Sequence, residues 1–208
     1  MVKVKICGIT GFQDAQAAAD LGADMLGFNF YEGSKRYVEP YTAAEIFNGL
    51  DGRIEPVGVF VNADIAAIRR TVEAAGLAAV QLHGDETPEF VREVAETCDV
   101  PVVKALRVSP SFRMDVIPEF SADSILLDVF SPAAFGGTGE RFDWNIAVAA
   151  KEHTERLFLA GGLTSENVGA AVELVRPYAV DVASGVEFAP GKKDAKKMEA
   201  FIRNAKGI

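Results

Sequence analysis

Residues 2–10 alternate strictly, with Val2, Val4 and Ile6 on one face and Lys3, Lys5 and Cys7 on the other. A period of two is that of a β-strand, and Gly8 and Gly11 end it. The alanine-rich stretch 11–22 then reads as a helix closed by Gly22, and 24–30 as a second strand. The unit recurs along the chain. Helices are predicted over 42–50, over 64–75 with Asp64 in the first turn and Gly76 behind it, and after Thr87, whose hydroxyl caps a helix opened by Pro88. Between and after them lie strands at 56–61, 78–83 and 100–106. Stretch 109–120 contains Pro110 and Pro118 and can hold only a short helical piece. Strands at 124–128, 156–160 and 179–183 follow, alternating with helices at 143–151 and 165–175. The chain ends on 194–205, where Ala195, Met198, Phe201, Ile202 and Ala205 recur at helical spacing.

Eight strands alternating with about eight helices predict an α/β fold, a closed (βα)8 TIM barrel spanning residues 1–208 as a single domain. An open, doubly wound sheet is the alternative. Its dinucleotide fingerprint, Gly-x-Gly-x-x-Gly between a strand and a helix with an acid downstream, is missing. Two loops stand out by length. Residues 31–38 are aromatic and basic, and 131–140 carry Gly136, Gly137 and Gly139; long loops in a compact chain are where binding and catalysis concentrate.

Composition narrows the function. With 49% hydrophobic and 25% charged residues in 208, the chain can bury a sizeable core. A formal net charge of −9 with interspersed signs would repel polyanions, which argues against nucleic acid and anionic membranes as partners. No apolar run is long enough to span a bilayer, and Lys3 and Lys5 spoil a signal-peptide core, so the expected location is cytoplasmic. Cys7 and Cys98 make no disulfide framework; Cys98 reads as a small packing residue. His83 and His153 have no Cys or Asp at ligand spacing, so no metal is expected. The sequence leaves monomer and homodimer equally open.

In a barrel, one parity of each strand points inward and its last member lines the mouth at the carboxyl end, where ligands bind. That rule selects Cys7, His83 and Asp128. Ser124, Leu126 and Asp128 should face in while Ile125 and Leu127 face the helices. A carboxyl ending an apolar strand costs desolvation unless paired or protonated, which makes Asp128 a candidate general acid; a cap or ion-pair partner is the plainer reading. Cys7 is a candidate base, its thiolate favoured by Lys5 and the amides of the Gly8 turn, or else a small buried hydrophobe. His83 could hydrogen-bond a substrate or be a satisfied structural group. Lys5 and Lys104, taken to point inward or nearly so, keep a Schiff-base chemistry open. Gly161 and Gly162 after strand seven, with Ala183, Ser184 and Gly185 after strand eight, could let backbone N–H groups approach a phosphate. Arg36 could clamp a carboxylate or lie solvated at the surface.

Motifs along the whole chain, in order, resemble those of the phosphoribosylanthranilate isomerase family. They are Lys-Ile-Cys-Gly-Ile-Thr at 5–10, Gly-Phe-Asn-Phe-Tyr-Glu-Gly-Ser-Lys-Arg-Tyr-Val at 27–38 and Val-Gly-Val-Phe-Val-Asn at 57–62. Downstream come Val-Gln-Leu-His-Gly-Asp-Glu at 80–86, Leu-Leu-Asp at 126–128 and Gly-Gly-Thr-Gly-Glu-Arg-Phe-Asp-Trp at 136–144. The last are Ala-Gly-Gly-Leu-Thr-Ser-Glu-Asn-Val at 160–168, Val-Asp-Val-Ala-Ser-Gly-Val-Glu at 180–187 and Pro-Gly-Lys-Lys-Asp at 190–194. The resemblance implies an Amadori rearrangement of a small phosphorylated sugar amine in tryptophan biosynthesis, with Cys7 as base and Asp128 as acid. It further implies Arg36 at the anthranilate carboxylate, Gly162, Ser184 and Gly185 at the phosphate, and His83 and Asp181 lining the pocket. No cofactor is implied, because the substrate's own iminium serves as electron sink. Two rivals remain at this stage: a Schiff-base lyase using Lys104 or Lys5, and a non-catalytic phosphate-ligand binder.

Overall fold

The structure is a computed structural model and describes residues 1–50, 54–129 and 142–208. Eight parallel strands, β1 (Lys3–Cys7), β2 (Met25–Asn29), β3 (Glu55–Phe60), β4 (Ala79–Leu82), β5 (Val102–Val108), β6 (Ser124–Val129), β7 (Leu157–Leu159) and β8 (Ala179–Val182), pair in sequence order. The sheet closes where β1 pairs with β8, Lys5 opposite Asp181, as well as with β2, Cys7 opposite Gly27. The predicted (βα)8 barrel is therefore the observed architecture.

Among the described residues seven α-helices pack outside: α1 (Phe12–Asp20), α2 (Pro40–Asn48), α3 (Ile65–Ala75), α4 (Pro88–Cys98), α5 (Trp144–Ala150), α6 (Val168–Val175) and α7 (Ala195–Lys206). Their ends follow local chemistry. Asp64 is the N-cap of α3 rather than a first-turn residue and accepts from Ala67 N–H at 2.8 Å, while Gly76 closes that helix at φ +61°. Thr87 accepts from Phe90 N–H ahead of Pro88, and Asp194 accepts from both Lys196 and Lys197 N–H. Between β5 and β6 the two prolines leave only a 3-10 turn, Met114–Glu119. The sequence reading misses a small antiparallel hairpin after β8, β9 (Glu187–Ala189) with β10 (Lys192–Lys193). The glycine-rich loop expected at 131–140 lies outside the described residues.

Strand parity separates two apolar regions. Val4, Ile6, Leu82, Val102, Ile125, Leu127, Leu159 and Val180 face outward into the layer covered by the helices. Met25, Val57, Val103, Ala105, Leu126, Phe158, Ala160 and Ala179 fill the barrel interior. The predicted faces of β1 and β6 hold. That of β5 does not: Val103 and Ala105 point in, so Lys104 points out.

Phe201 on α7 is fully buried in the outer layer. Phe201→Ala should lower the unfolding free energy by about 3–5 kcal/mol through lost burial and the cavity left, measured by urea denaturation followed by far-UV circular dichroism.

Candidate active site

Above the apolar floor of the barrel the interior turns polar. Lys5 is fully buried, and its ammonium donates to Asp181 Oδ1 at 2.9 Å and Gln81 Oε1 at 2.8 Å. Burial would lower the Lys5 pKa, but the Asp181 carboxylate, with a smaller contribution from the Cys7 sulfur, holds it above the ordinary lysine value. Lys5 is thus a locked cation, and Asp181 is placed inside the barrel. Lys104 instead reaches Glu86 Oε2 at 2.6 Å and Gly84 O at 2.9 Å. That buried pair braces the loops after β3 and β4, since the Glu86 carboxylate also accepts from Asn62 and Gly84 N–H.

One inward step further toward the carboxyl ends of the strands come Cys7, His83 and Asp128, all buried. Asp128 Oδ1 accepts from Val129 N–H at 2.8 Å, and Oδ2 lies 3.3 Å from His83 Nε2. His83 Nδ1 stands 2.8 Å from Gln81 Nε2. The result is a continuous polar chain from Asp181 through Lys5, Gln81 and His83 to Asp128. The Cys7 thiol sits over β2 where that strand has no side chain: a Cβ on Gly27 would lie 2.7 Å from Sγ. Contrary to the sequence expectation, desolvation raises the Cys7 pKa, and the opposing pull of Lys5 and Lys193 does not overcome it.

Arg36 comes to the same rim from the loop after β2. Its Nε and one terminal nitrogen donate to the Glu187 carboxylate at 2.9 and 2.7 Å, a bidentate pair on the first residue of the hairpin. Its aliphatic stem crosses the backbone of Gly8, at φ +77°, where a Cβ would fall on Arg36 Cδ. Arg36 is therefore partly buried and pre-oriented rather than solvated. Lys193, buried on β10, donates to Glu187 Oε1 at 2.8 Å, to Cys7 O at 2.5 Å and to Ala183 O at 3.3 Å. Burial would raise the Glu187 pKa, but Arg36 and Lys193 together hold it below the usual glutamate value. For Lys193 burial wins, and its pKa lies below that of an ordinary lysine.

The loops after β7 and β8 meet beside this group. Gly161 and Gly162 both have positive φ, +83° and +62°. A Cβ on Gly161 would lie 3.2 Å from Asp128 Oδ1, and one on Gly185 would collide with the carbonyl of Leu163. Ala183 and Ser184 lead into the short 3-10 turn that carries Gly185. The residues that the resemblance selects thus lie at the carboxyl end of the barrel or, for Asp181, inside it, whereas of the two candidate lysines Lys5 lies inside and Lys104 points out. Gln81, Glu187 and Lys193 were given no role there. Gln81 shares the inward face of β4 with His83, a signal readable from parity alone; Glu187 and Lys193 fall in strands of three and two residues, too short for a period to register.

Among the described residues no group of three or more His, Cys, Asp and Glu is placed to hold a metal ion. Because burial disfavours the thiolate, alkylation of Cys7 by iodoacetamide in a Cys98→Ala background should keep accelerating at pH values where an exposed cysteine has levelled off. Mass spectrometry of the modified peptide across a pH series reads this directly; a half-maximal rate near pH 8.5, typical of a free thiol, would contradict it.

The model of the N-(5'-phosphoribosyl)anthranilate (PRA) isomerase family matches residues 4–204. The Geobacter sulfurreducens protein of that name is 51% identical over 207 residues, covering all of both chains, and that of Pelobacter propionicus is 50% identical over 206 residues, 99% of this chain and 96% of the other. The crystal structure of phosphoribosyl anthranilate isomerase from Thermotoga maritima superposes with a TM-score of 0.93 at 44% identity over the full length of both chains. A further structure of such an enzyme, in complex with reduced 1-(o-carboxyphenylamino)-1-deoxyribulose 5-phosphate, superposes at 0.90 with 43% identity, again over both full lengths. The barrel is thus shared over nearly its whole length with these enzymes, and the chain belongs to the N-(5'-phosphoribosyl)anthranilate isomerase family.

Proposed function

We propose that the chain carries out its family's isomerisation, an Amadori rearrangement in tryptophan biosynthesis, with Asp128 as general acid and Cys7 as general base. The observation that carries this reading is the polar chain inside the barrel, which ends on the Asp128 carboxyl and whose Lys5 ammonium lies beside the Cys7 thiol. Asp128 protonates the ribose ring oxygen of N-(5'-phosphoribosyl)anthranilate, the C1–O bond breaks, and the anilinic nitrogen's lone pair forms an iminium at C1. The iminium acidifies C2–H. Cys7 as thiolate takes that proton, leaving an enolamine; loss of the C2 hydroxyl proton and protonation of C1 give 1-(2-carboxyphenylamino)-1-deoxyribulose 5-phosphate. The positive charge of the iminium stabilises the thiolate beside it during the step, which offsets the desolvation that raises the thiol pKa.

In the same reading Arg36 holds the anthranilate carboxylate with the N–H groups that Glu187 leaves unused, and His83 and Asp181 line the pocket. Backbone N–H groups of Gly162, Ser184 and Gly185 take the phosphate, a role supported by the approach of the two loops at Gly185 and Leu163. The lysine-based alternative has the geometry against it, since Lys5 is held by two acceptors and Lys104 lies outside the barrel wall. A cytoplasmic setting fits two unpaired thiols and the absence of any described helix long and apolar enough to cross a membrane. The chain works as a monomer or a dimer; the Thermotoga maritima relative, a dimeric enzyme, has been solved as monomers.

Cys7→Ser and Asp128→Asn should each lower kcat by about 10²–10⁴ while leaving the Kd for the reduced product analogue within a few-fold. Turnover is followed as the fluorescence decay of phosphoribosylanthranilate generated in place, and unchanged kcat in either variant would end the assignment. Arg36→Lys should mainly raise KM, because the carboxylate is bound alike in ground and transition states and lysine loses the bidentate geometry.

A further inference from the structure

Gln81 has no contact with the reacting atoms in the reading above, yet it is almost wholly buried at the centre of the polar chain. Its two amide atoms face partners of fixed character. On one side the Lys5 ammonium, anchored by Asp181, can only donate, so at 2.8 Å Gln81 must present its carbonyl oxygen. The amide is then committed: its NH2 group points to His83 Nδ1 at 2.8 Å. An amide nitrogen can only donate, so Nδ1 must be the accepting, unprotonated ring nitrogen. The neutral ring therefore carries its hydrogen on Nε2, a buried atom that stands 3.3 Å from Asp128 Oδ2 but makes no hydrogen bond to it or to any other described group.

We propose that Gln81 is a positioning residue that fixes His83 as the neutral Nε2–H tautomer and so aims a single N–H at Asp128. Lys5 and Asp181 act in turn as the fixed end that sets the Gln81 amide. The consequence concerns the carboxylate left once Asp128 has protonated the sugar. Oδ1 already accepts from Val129 N–H, and Oδ2 would accept from His83 as the side chains tighten around substrate, so the developing anion meets two prepared donors. The other tautomer would turn a lone pair toward Oδ2 and oppose that charge. This role rests on the acid assignment of Asp128, but the tautomer of His83 does not.

The two are separated by measuring the ring directly. The chain has only two histidines, and His153 is exposed, so long-range ¹H–¹⁵N correlation spectra of histidine-labelled protein contain two ring systems, assigned with His153→Gln. At pH 8, above the ordinary histidine pKa, His83 should show the Nε2-protonated neutral pattern. In Gln81→Glu the new carboxylate accepts from Lys5 and also from His83, so the ring should change to the Nδ1-protonated or doubly protonated pattern. In that variant kcat should fall on the order of 10-fold or more with KM little changed, as expected when an interaction made only in the transition state is lost. Gln81→Met, which removes both hydrogen bonds while keeping the shape, should give a mixed tautomer pattern and an intermediate kcat. An Nδ1-protonated or imidazolium pattern in the unaltered protein overturns the proposal without any variant. So does a Gln81→Glu spectrum with the original pattern, or a changed pattern accompanied by unchanged kcat. Unchanged kcat in Asp128→Asn instead removes the acid assignment and leaves the tautomer result standing.

Discussion

A lysine ammonium with no exposed surface sits inside the barrel, and the polar half of the interior is arranged around it. Lys5 cannot be removed from water without compensation, and Asp181 on the neighbouring strand β8 supplies the opposite charge. Breaking such a pair by removing one partner typically costs about 3–5 kcal/mol, because the other charge is left stranded. The pair spans the seam where β1 meets β8, so the last closure of the sheet and the placement of the charge are one event. An aliphatic residue at position 5 would pack there more cheaply. What it would not do is present a donor that forces the orientation of Gln81, nor a cation beside the Cys7 sulfur.

A second buried network holds the rim. Glu187 is gripped by Arg36 from the β2 loop and by Lys193 from the hairpin, and Lys193 reaches on to the carbonyls of Cys7 and Ala183. Two segments far apart in the chain, the loop after β2 and the stretch 183–193 after β8, are tied through Lys193 to the backbone of the thiol-bearing residue. The side chains proposed to meet substrate thus stand on rigid supports, which would limit the ordering cost at binding. The glycines around them, Gly8 under Arg36, Gly27 under Cys7 and Gly161 beside Asp128, are places where a Cβ would strike a functional group.

Alternation made much of this legible in advance. In β1 and β6 one face is uniformly apolar and the other carries Lys, Cys, Ser or Asp, so parity alone separates wall from interior and puts Cys7 and Asp128 at the mouth. In β5 the sequence Val-Val-Lys-Ala-Leu-Arg-Val is apolar on both faces, as expected where parallel strands are covered on both sides, and nothing local says which way Lys104 points. The tertiary partner Glu86 and the ring of Phe120 decide it. The hairpin and its Glu187–Lys193 pair escaped because five strand residues beside a glycine turn carry no period. For the Cys7 thiol the reason differs: a neighbouring lysine is visible in sequence, whereas the desolvation that outweighs it exists only once the fold has closed.

The acidic balance of the chain raises the question of how an anion enters. Net charge acts over the whole surface and is screened within about 8 Å at physiological salt, so the local count at the rim matters more. There Glu187 faces two cations, Arg36 and Lys193, and Lys5 is balanced by Asp181. Arg36 and Lys193 thus outnumber the one carboxylate they share, next to the backbone of Cys7, and the remaining acid of the rim is Asp128. The same excess serves the thiol. A substrate phosphate and carboxylate would draw on it in the ground state and by themselves disfavour a second anion on sulfur; opening the sugar ring reverses this, because the iminium adds a positive charge next to C2. In the proposed mechanism the base would thus be released from its proton by the intermediate that needs it, and the same burial that raises the Cys7 pKa disfavours its alkylation and oxidation.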